Sequence, residues 1–496
     1  MSATPTNPGS PSRQNVPGRE GSLEAPTRHP IDWQSPAFYD EGALAKELER
    51  VFDICHGCRR CFSLCNAFPT LFDAVDATSA GEVAAVDRKV FWQVVDHCYL
   101  CDMCFMTKCP YVPPHPWNVD FPHLMLRAKA VRTRKEGVSL RNRALCATDT
   151  VGKIAGIPVV VELVNAVNGS SAGRALLEKT LGVDPGAPIP KYHSRTARKR
   201  LRRLGRLRQG NTPTTAAGNG TTGNGDAARA VSGASSASAS PPGAGAKAAQ
   251  SAAPMTGRVA LFTTCYGNRN EPQLNEDLVA VFEHNQIPVT LLVQERCCGM
   301  PRLELGDLEA VARLKEHNIP QLIRAIDAGF DIIAPIPSCV LMFKQELPLM
   351  FPGDAGVQRV AKRIFDPFEY LMYRHRAGLL RTDFTRSLGK VSYHVPCHLR
   401  VQNIGLKTRD VLRLVPDTLV EPIERCSGHN GTYGVKKEFR AASMKIGRPV
   451  MQKVQSAGAD HYASDCPMAG SQIESGLEAA REPEHPLTLL RMAYGI

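Results

Sequence analysis

Eight of the chain's sixteen cysteines fall between Cys55 and Cys109, in two runs of nearly equal spacing. The first run is C-x2-C-x2-C-x3-C at Cys55, Cys58, Cys61 and Cys65; the second is C-x2-C-x2-C-x4-C-P at Cys98, Cys101, Cys104, Cys109 and Pro110. No apolar h-region precedes them, because the start MSATPTNPGSPSRQNVPGRE is polar and Pro-rich. A reducing compartment is therefore expected, where clustered cysteines serve as metal ligands or redox thiols rather than disulfides. Three thiols at steps of three suit a turning loop that wraps several corners of one metal cluster.

Both runs approximate the ferredoxin pattern, in which each distal cysteine ligates the other cluster. On that pattern Cys55, Cys58, Cys61 and Cys109 hold one 4Fe-4S cluster, and Cys65, Cys98, Cys101 and Cys104 hold a second. Zinc competes for any four-thiolate set, but zinc motifs usually split into two CxxC pairs. Asn66 stands where a proline often follows, and the second run is one residue longer than the pattern; neither departure removes a ligand. The segments LAKELERVFDICHGC and VFWQVVDHCYLC each read as a helix running into a cysteine run, which favours an α-helical two-cluster domain.

The rest of the chain divides by composition. Residues 1–40 are expected to be a disordered tail, 41–130 the helical cluster domain, and 131–208 a helical connector ending in a basic segment. Residues 209–256 read as a low-complexity Gly/Ala/Ser/Thr linker. In the connector, IAGIPVVVELV is the most apolar stretch, yet Lys153, Pro158 and Glu162 interrupt it, so a buried or interfacial helix is expected rather than a span. The net charge of +12 is concentrated in the basic segment, where Lys191 to Arg208 carries nine Lys/Arg and no acid. That segment reads as a solvated linker or, through Leu201, Leu204 and Leu207, as an amphipathic helix on anionic lipid. No aromatic interleaving accompanies the charge, so nucleic acid is not expected as a partner.

After the linker, strand-like runs alternate with helical ones in two copies, 257–385 and 386–496, an α/β pattern with parallel strands. Cys265, Cys297 and Cys339 of the first copy match Cys397, Cys426 and Cys466 of the second at nearly constant offsets of about 130 residues. In the first copy Cys298 follows Cys297 and precedes Gly299. Each cysteine follows a strand, which gathers them at the carboxyl edge of a sheet, where open α/β sheets bind ligands.

This order of two cubane motifs followed by two CCG-type cysteine-rich domains resembles the iron-sulfur component of anaerobic glycerol-3-phosphate dehydrogenase, the iron-sulfur subunits of glycolate and lactate oxidases, and the subunits of heterodisulfide reductase. The most specific pieces are the eight cysteines, Cys297-Cys298-Gly299, and the CSGHNGTYG stretch from Cys426 to Gly434. The resemblance implies an electron-transfer subunit partnered with a flavoprotein dehydrogenase, delivering to a quinone or other acceptor. It also implies a cytoplasmic location, peripheral on the inner face of the cell membrane.

The repeats depart from that family at named positions. Met342 occupies the CxxC position after Cys339, Ser427 replaces the second cysteine of CCG, and Ala469 stands at the final cysteine position. Cys265, Cys297, Cys298 and Cys339, and separately Cys397, Cys426 and Cys466, remain candidate ligands for a further iron-sulfur cluster or zinc. His394, His398, His429 and Asp465 are the side chains nearest in sequence to the second set. No G-x-G-x-x-G follows a strand with its acidic residue, and no P-loop is present, so flavin or nucleotide is expected on a partner. The fold class is thus multidomain α + α/β, and the expected role is that of an oxidoreductase subunit. A reductase acting on substrate at a CCG-type metal site is the alternative.

Overall fold

Asp40 starts the first long helix by accepting the Ala43 N–H at 2.6 Å. That helix, α1 (Glu41–Cys58), buries Leu44, Leu48, Val51 and Phe52 along one stripe, so its last turn carries Cys55 and Cys58 one above the other. It stops at Arg59, which adopts the left-handed conformation. Helix α2 (Ala67–Asp76) begins two residues after Cys65, and α3 (Arg88–His97) ends one residue before Cys98. The short α4 (Met103–Thr107) carries Cys104, and α5 (Phe121–Glu136) packs on α1. Phe52 meets Phe91 at 5.0 Å and Phe68 meets Phe121 at 4.7 Å between ring centres. This aromatic core fixes the angles at which the helices present their cysteines.

A computed structural model describes residues 25–203, 255–479 and 481–496. The α/β half forms two parallel sheets. The first has the order β2-β1-β3-β4, with β1 (Val259–Leu261), β2 (Val289–Leu291), β3 (Asp331–Ile333) and β4 (Ile364–Phe365). The second has the order β6-β5-β7, with β5 (Gly389–His394), β6 (Thr418–Ile423) and β7 (His461–Ser464). In both, the first strand of the copy lies between the second and third, the arrangement a duplicated unit must share. The two copies interlock: the C-terminal helix Pro486–Tyr494 packs on helix Pro272–His284 of the first copy, where Arg491 and Thr488 bind Asp277 at 2.8 and 2.5 Å. One continuous apolar core runs from Ile31 through both copies to Tyr494.

Two expectations differ from what is observed. The tail expected over 1–40 is packed from residue 25 onward. Ile31 N donates to Leu349 O at 2.8 Å, Trp33 Nε1 donates to Met350 O at 3.0 Å, and both side chains are buried. Arg28 is the reason a Pro-rich segment orders, since it is drawn into a buried set of carboxylates. The basic segment also differs: Leu201, in helix Ala197–Arg203, is fully buried, and Arg198 and Arg200 pair with Glu295 and Glu276. Its apolar face is therefore spent on the protein itself. Leu204, Leu207 and the linker up to residue 254 lie outside the described residues.

Candidate metal centre

Cys55 and Cys58 on the last turn of α1, Cys61 in the turn after it, and Cys109 beyond α4 form one group. Burial raises the Cys55 thiol, and Cys61, Cys109 and Cys58 raise it further. Cys61 is pushed up to about 12 by burial, then by Cys109 and Cys58. In a second group, burial and then Cys98 raise Cys65. Cys104 is raised by burial and by Cys61, Cys98 and Cys65, so it stands between the groups. The chain folds back so that Cys109 joins the first group and Cys65 the second, the crossed arrangement that the spacing suggests.

Cys101 extends the second group outward. Its hydrogen bond with Cys397 favours the thiolate, yet burial, Cys426, Cys104 and Cys65 together push it up to about 11. Cys397 is pushed up to about 12, first by that same bond and then by burial, while its bond with Cys426 works the other way. Cys426 Sγ also accepts the Gly428 N–H at 3.3 Å and lies 3.6 Å from the Tyr99 hydroxyl. A line of thiols thus leads from the helical unit into the second copy.

Cys466 does not join them. Burial pushes it up to about 11, and its nearest charged influences are Asp465 and Cys339 of the first copy. The set Cys397, Cys426 and Cys466 is therefore divided between two places.

In the first copy, Cys265, Cys297, Cys298 and Cys339 do meet. Cys265 and Cys298 hydrogen-bond Cys297, which lowers the Cys297 thiol well below its ordinary value, and the Gly299 N–H assists. Gly299 takes φ +106, a conformation only glycine adopts readily, and it aims that N–H at sulfur. Met342, in the CxxC position, lies with its terminal methyl 3.5 Å from where a Gly299 Cβ would stand. Asp149 from the connector accepts the Cys297 N–H at 2.8 Å. A cavity of about 340 Å³ lined by Cys146, Thr148, Asp149, Lys153 and Arg302 opens onto Cys297.

The histidines are otherwise engaged. His394 bonds Ser464 Oγ at 2.9 Å and Arg425 O at 3.0 Å, and burial lowers it to about 4. His398 Nδ1 lies 2.8 Å from Ser338 Oγ. Both His429 ring nitrogens are buried without a partner, and burial followed by Arg440 lowers it to about 4. Asp465 neither caps a helix nor faces a thiol group: it accepts Tyr393 and Thr408 hydroxyls, and burial pushes it up to about 7.

Whether iron-sulfur groups suit these thiols can be judged from the donors around them, since among the described residues no three His, Cys, Asp or Glu converge on a single ion. Backbone N–H groups two residues onward point at Cys65, Cys98, Cys109, Cys297, Cys426 and Cys466. Such N–H···S bonds favour the ionised or metal-bound sulfur and set the potential of a bound cluster. The buried Lys129 ammonium donates to the Cys98 carbonyl, fixing that loop and adding positive charge beside it. The donors fit. Tyr99, Lys129, Asp149 and Arg28 are not apparent from spacing. Tyr99 alone has a sequence signal, as an aromatic directly after a ligand candidate.

The model of the CCG cysteine-rich domain matches residues 259–344 and again 391–474. The third component (C) of anaerobic glycerol-3-phosphate dehydrogenase of Escherichia coli strain K12 is 29% identical over 373 residues, covering 74% of this chain and 80% of the relative. A component of the fumarate reductase (CoM/CoB) of Methanothermobacter marburgensis is 26% identical, covering 48% of this chain and 46% of the relative. An uncharacterised iron-sulfur protein of Methanocaldococcus jannaschii is 24% identical over 45% of this chain and 42% of its own length. The two matched stretches are the two sheets whose strand ends carry Cys265 to Cys339 and Cys397 to Cys466, and the chain is thereby a CCG cysteine-rich domain protein that carries the domain twice.

Proposed function

We propose that this protein is the iron-sulfur electron-transfer subunit of a flavoprotein dehydrogenase of the glycerol-3-phosphate, glycolate or lactate type. Cys55, Cys58, Cys61 and Cys109 hold one 4Fe-4S cluster, and Cys65, Cys98, Cys101 and Cys104 hold the other. When bound, the clusters supply one-electron transfer between the flavin partner and a quinone or other acceptor. The observation that carries this reading is the unbroken succession of thiols, from the Cys55 group through Cys104 and Cys101 to Cys397 and Cys426.

The protein's own part is to hold sulfur in a dry, positively biased setting. Phe52, Phe68 and Phe91 exclude water from the helical side, and N–H donors and Lys129 stabilise negative charge on the ligands. Cys58→Ser and Cys101→Ser should each cost one cluster's iron and abolish dye-linked turnover with the partner, whereas Cys397→Ser should keep both clusters. Full iron content and turnover in both of the first two variants would refute the assignment.

A second reading rests on the four thiols of the first copy and the cavity that opens onto Cys297. There the site itself reduces a substrate such as a disulfide, as in heterodisulfide-type reductases, at a further cluster or zinc. Cys339→Ser and Cys426→Ser would then stop substrate reduction while both cluster signals persist; normal turnover of both variants would count against it.

A further inference from the structure

Helices Thr148–Ala155 and Val160–Gly169 meet at 108°, and together they make the one apolar stretch among the described helices long enough to resemble a span. Their corner does not bury its apolar side chains. Val159 is 82% exposed, Leu163 66%, Ile154 57% and Ile157 49%. Scattered exposed apolar residues are ordinary, but four within ten positions at one bend are a patch. Val159 sits at the apex with φ +75, a conformation a β-branched residue adopts only under constraint, so the backbone holds this side chain outward.

The surroundings of the bend have one sign. Pro158 at the corner shares a cavity lining with Arg195, Lys199, Arg202 and Arg203. These four cations and Lys153 are exposed, and none is ion-paired among the described residues. The nearby acid Glu276 is taken by Arg200 at 3.3 Å, leaving Glu162 as the exposed acid on the bend itself.

An apolar tip ringed by unpaired cations matches an anionic bilayer, with hydrocarbon behind the tip and phosphates level with the ring. A protein partner would instead favour a patch edged by mixed charges. The two helices are too short and too sharply bent to cross a membrane, so they suit the headgroup boundary.

We propose that the corner formed by Ile154, Ile157, Val159 and Leu163, flanked by Lys153, Arg195, Lys199, Arg202 and Arg203, docks this protein onto an anionic phospholipid surface. The contact is the bend of the connector, not the Leu201 stripe, which is buried in the protein. Helix Thr148–Ala155 runs about 12 Å from this corner back toward Thr148 and Asp149 at the Cys297 loop. Docking therefore brings the first cysteine-rich copy close to the lipid.

The test is sedimentation of the anaerobically purified full chain with vesicles of phosphatidylcholine alone, or of phosphatidylcholine and phosphatidylglycerol in equal parts. The protein should sediment with the mixed vesicles at low salt, weakly with the neutral ones, and less as salt rises. The double variant Val159→Asp/Leu163→Asp and the double variant Lys199→Glu/Arg202→Glu should each lower apparent affinity by about tenfold or more. Both alter exposed side chains, so circular dichroism and iron content should match the unaltered protein. Failure of the unaltered protein to sediment with mixed vesicles at low salt would overturn the proposal. So would unaltered binding by Val159→Asp/Leu163→Asp, which would move any lipid contact elsewhere on the chain. A concentration-dependent dimer abolished by that variant, without vesicle binding, would assign the corner to a second copy and overturn it equally.

Discussion

Replacing Arg28 by Met should cost the folded chain about 3–5 kcal/mol, the usual penalty for removing one partner from a buried ion pair. The guanidinium grips Asp102 at 2.6 and 3.0 Å and Asp120 at 2.9 and 3.1 Å, and it lies 3.8 Å from Glu346 of the first cysteine-rich copy. Its side chain is 11% exposed and that of Asp102 is 5% exposed, so solvent screens the pair little. Burial opposes the charge on Arg28, and Asp102, Asp120 and Glu346 more than offset it, leaving its pKa raised. In Arg28→Met, Asp102, Asp120 and Glu346 lose that cation, and His123 is the remaining one beside Asp120 and Glu346.

Burial likewise opposes ionisation of Asp120, yet His123 and Arg28 hold its carboxyl below the ordinary carboxylate range. Such a depressed carboxylate contributes stability above its unfolded pKa and loses it as pH falls through the folded value. The Arg28→Met penalty should therefore be full at pH 7 and shrink in acid. Urea unfolding followed by circular dichroism reads the penalty, and limited proteolysis should show residues 25–40 newly cleaved. Because Asp102 lies between Cys101 and Cys104, loss of iron should also accelerate. Arg28→Lys, which keeps the charge without the planar fork, should recover only part of the stability. A wild-type urea midpoint with no new cleavage in Arg28→Met would refute the reasoning.

Gly306→Ala should destabilise by about 3 kcal/mol, because a Cβ there would stand 2.4 Å from Ala130 N and 2.5 Å from Lys129 C at φ +75; an unchanged thermal midpoint would contradict it. Leu201→Ala should cost about 2–5 kcal/mol in urea midpoint despite its place in a basic segment, since the side chain is fully buried. Burial, then Asp465 and Glu369, push Asp366 up to about 8, so its contribution to stability is greatest in acid and is lost as pH rises toward 8. Asp366→Asn should flatten that dependence and raise the urea midpoint at pH 9 relative to pH 6; an unchanged pH profile would contradict the shift.

The parts of this molecule most visible in the sequence are those governed by spacing. Steps of three in the cysteine runs suggested the crossed grouping, and the regular offsets between copies anticipated two sheets of like strand order. Strand β6 (Thr418–Ile423) was not among the strand-like runs, because Glu421 and Pro422 break its apolar pattern, while pairing with β5 along six residues overrides that local weakness. Cys466 fits the repeat by offset, yet it turns toward Cys339 because the two copies interlock face to face, a relation no single-copy spacing encodes. Residues 25–40 read as a tail from composition, whereas Arg28 meets carboxylates 74, 92 and 318 residues away. Long-range ion pairs and tertiary burial leave no periodic trace, which is also why Leu201 read as a lipid-facing residue.

Electron transfer through the two crossed cysteine groups is most directly tested by the content of iron, acid-labile sulfide and zinc per anaerobically purified chain, with EPR of the reduced state. About eight irons with matching sulfide and mutually interacting cubane signals are expected, and more than eight would place a further cluster on the cysteine-rich copies. Zinc without labile sulfide would contradict the assignment.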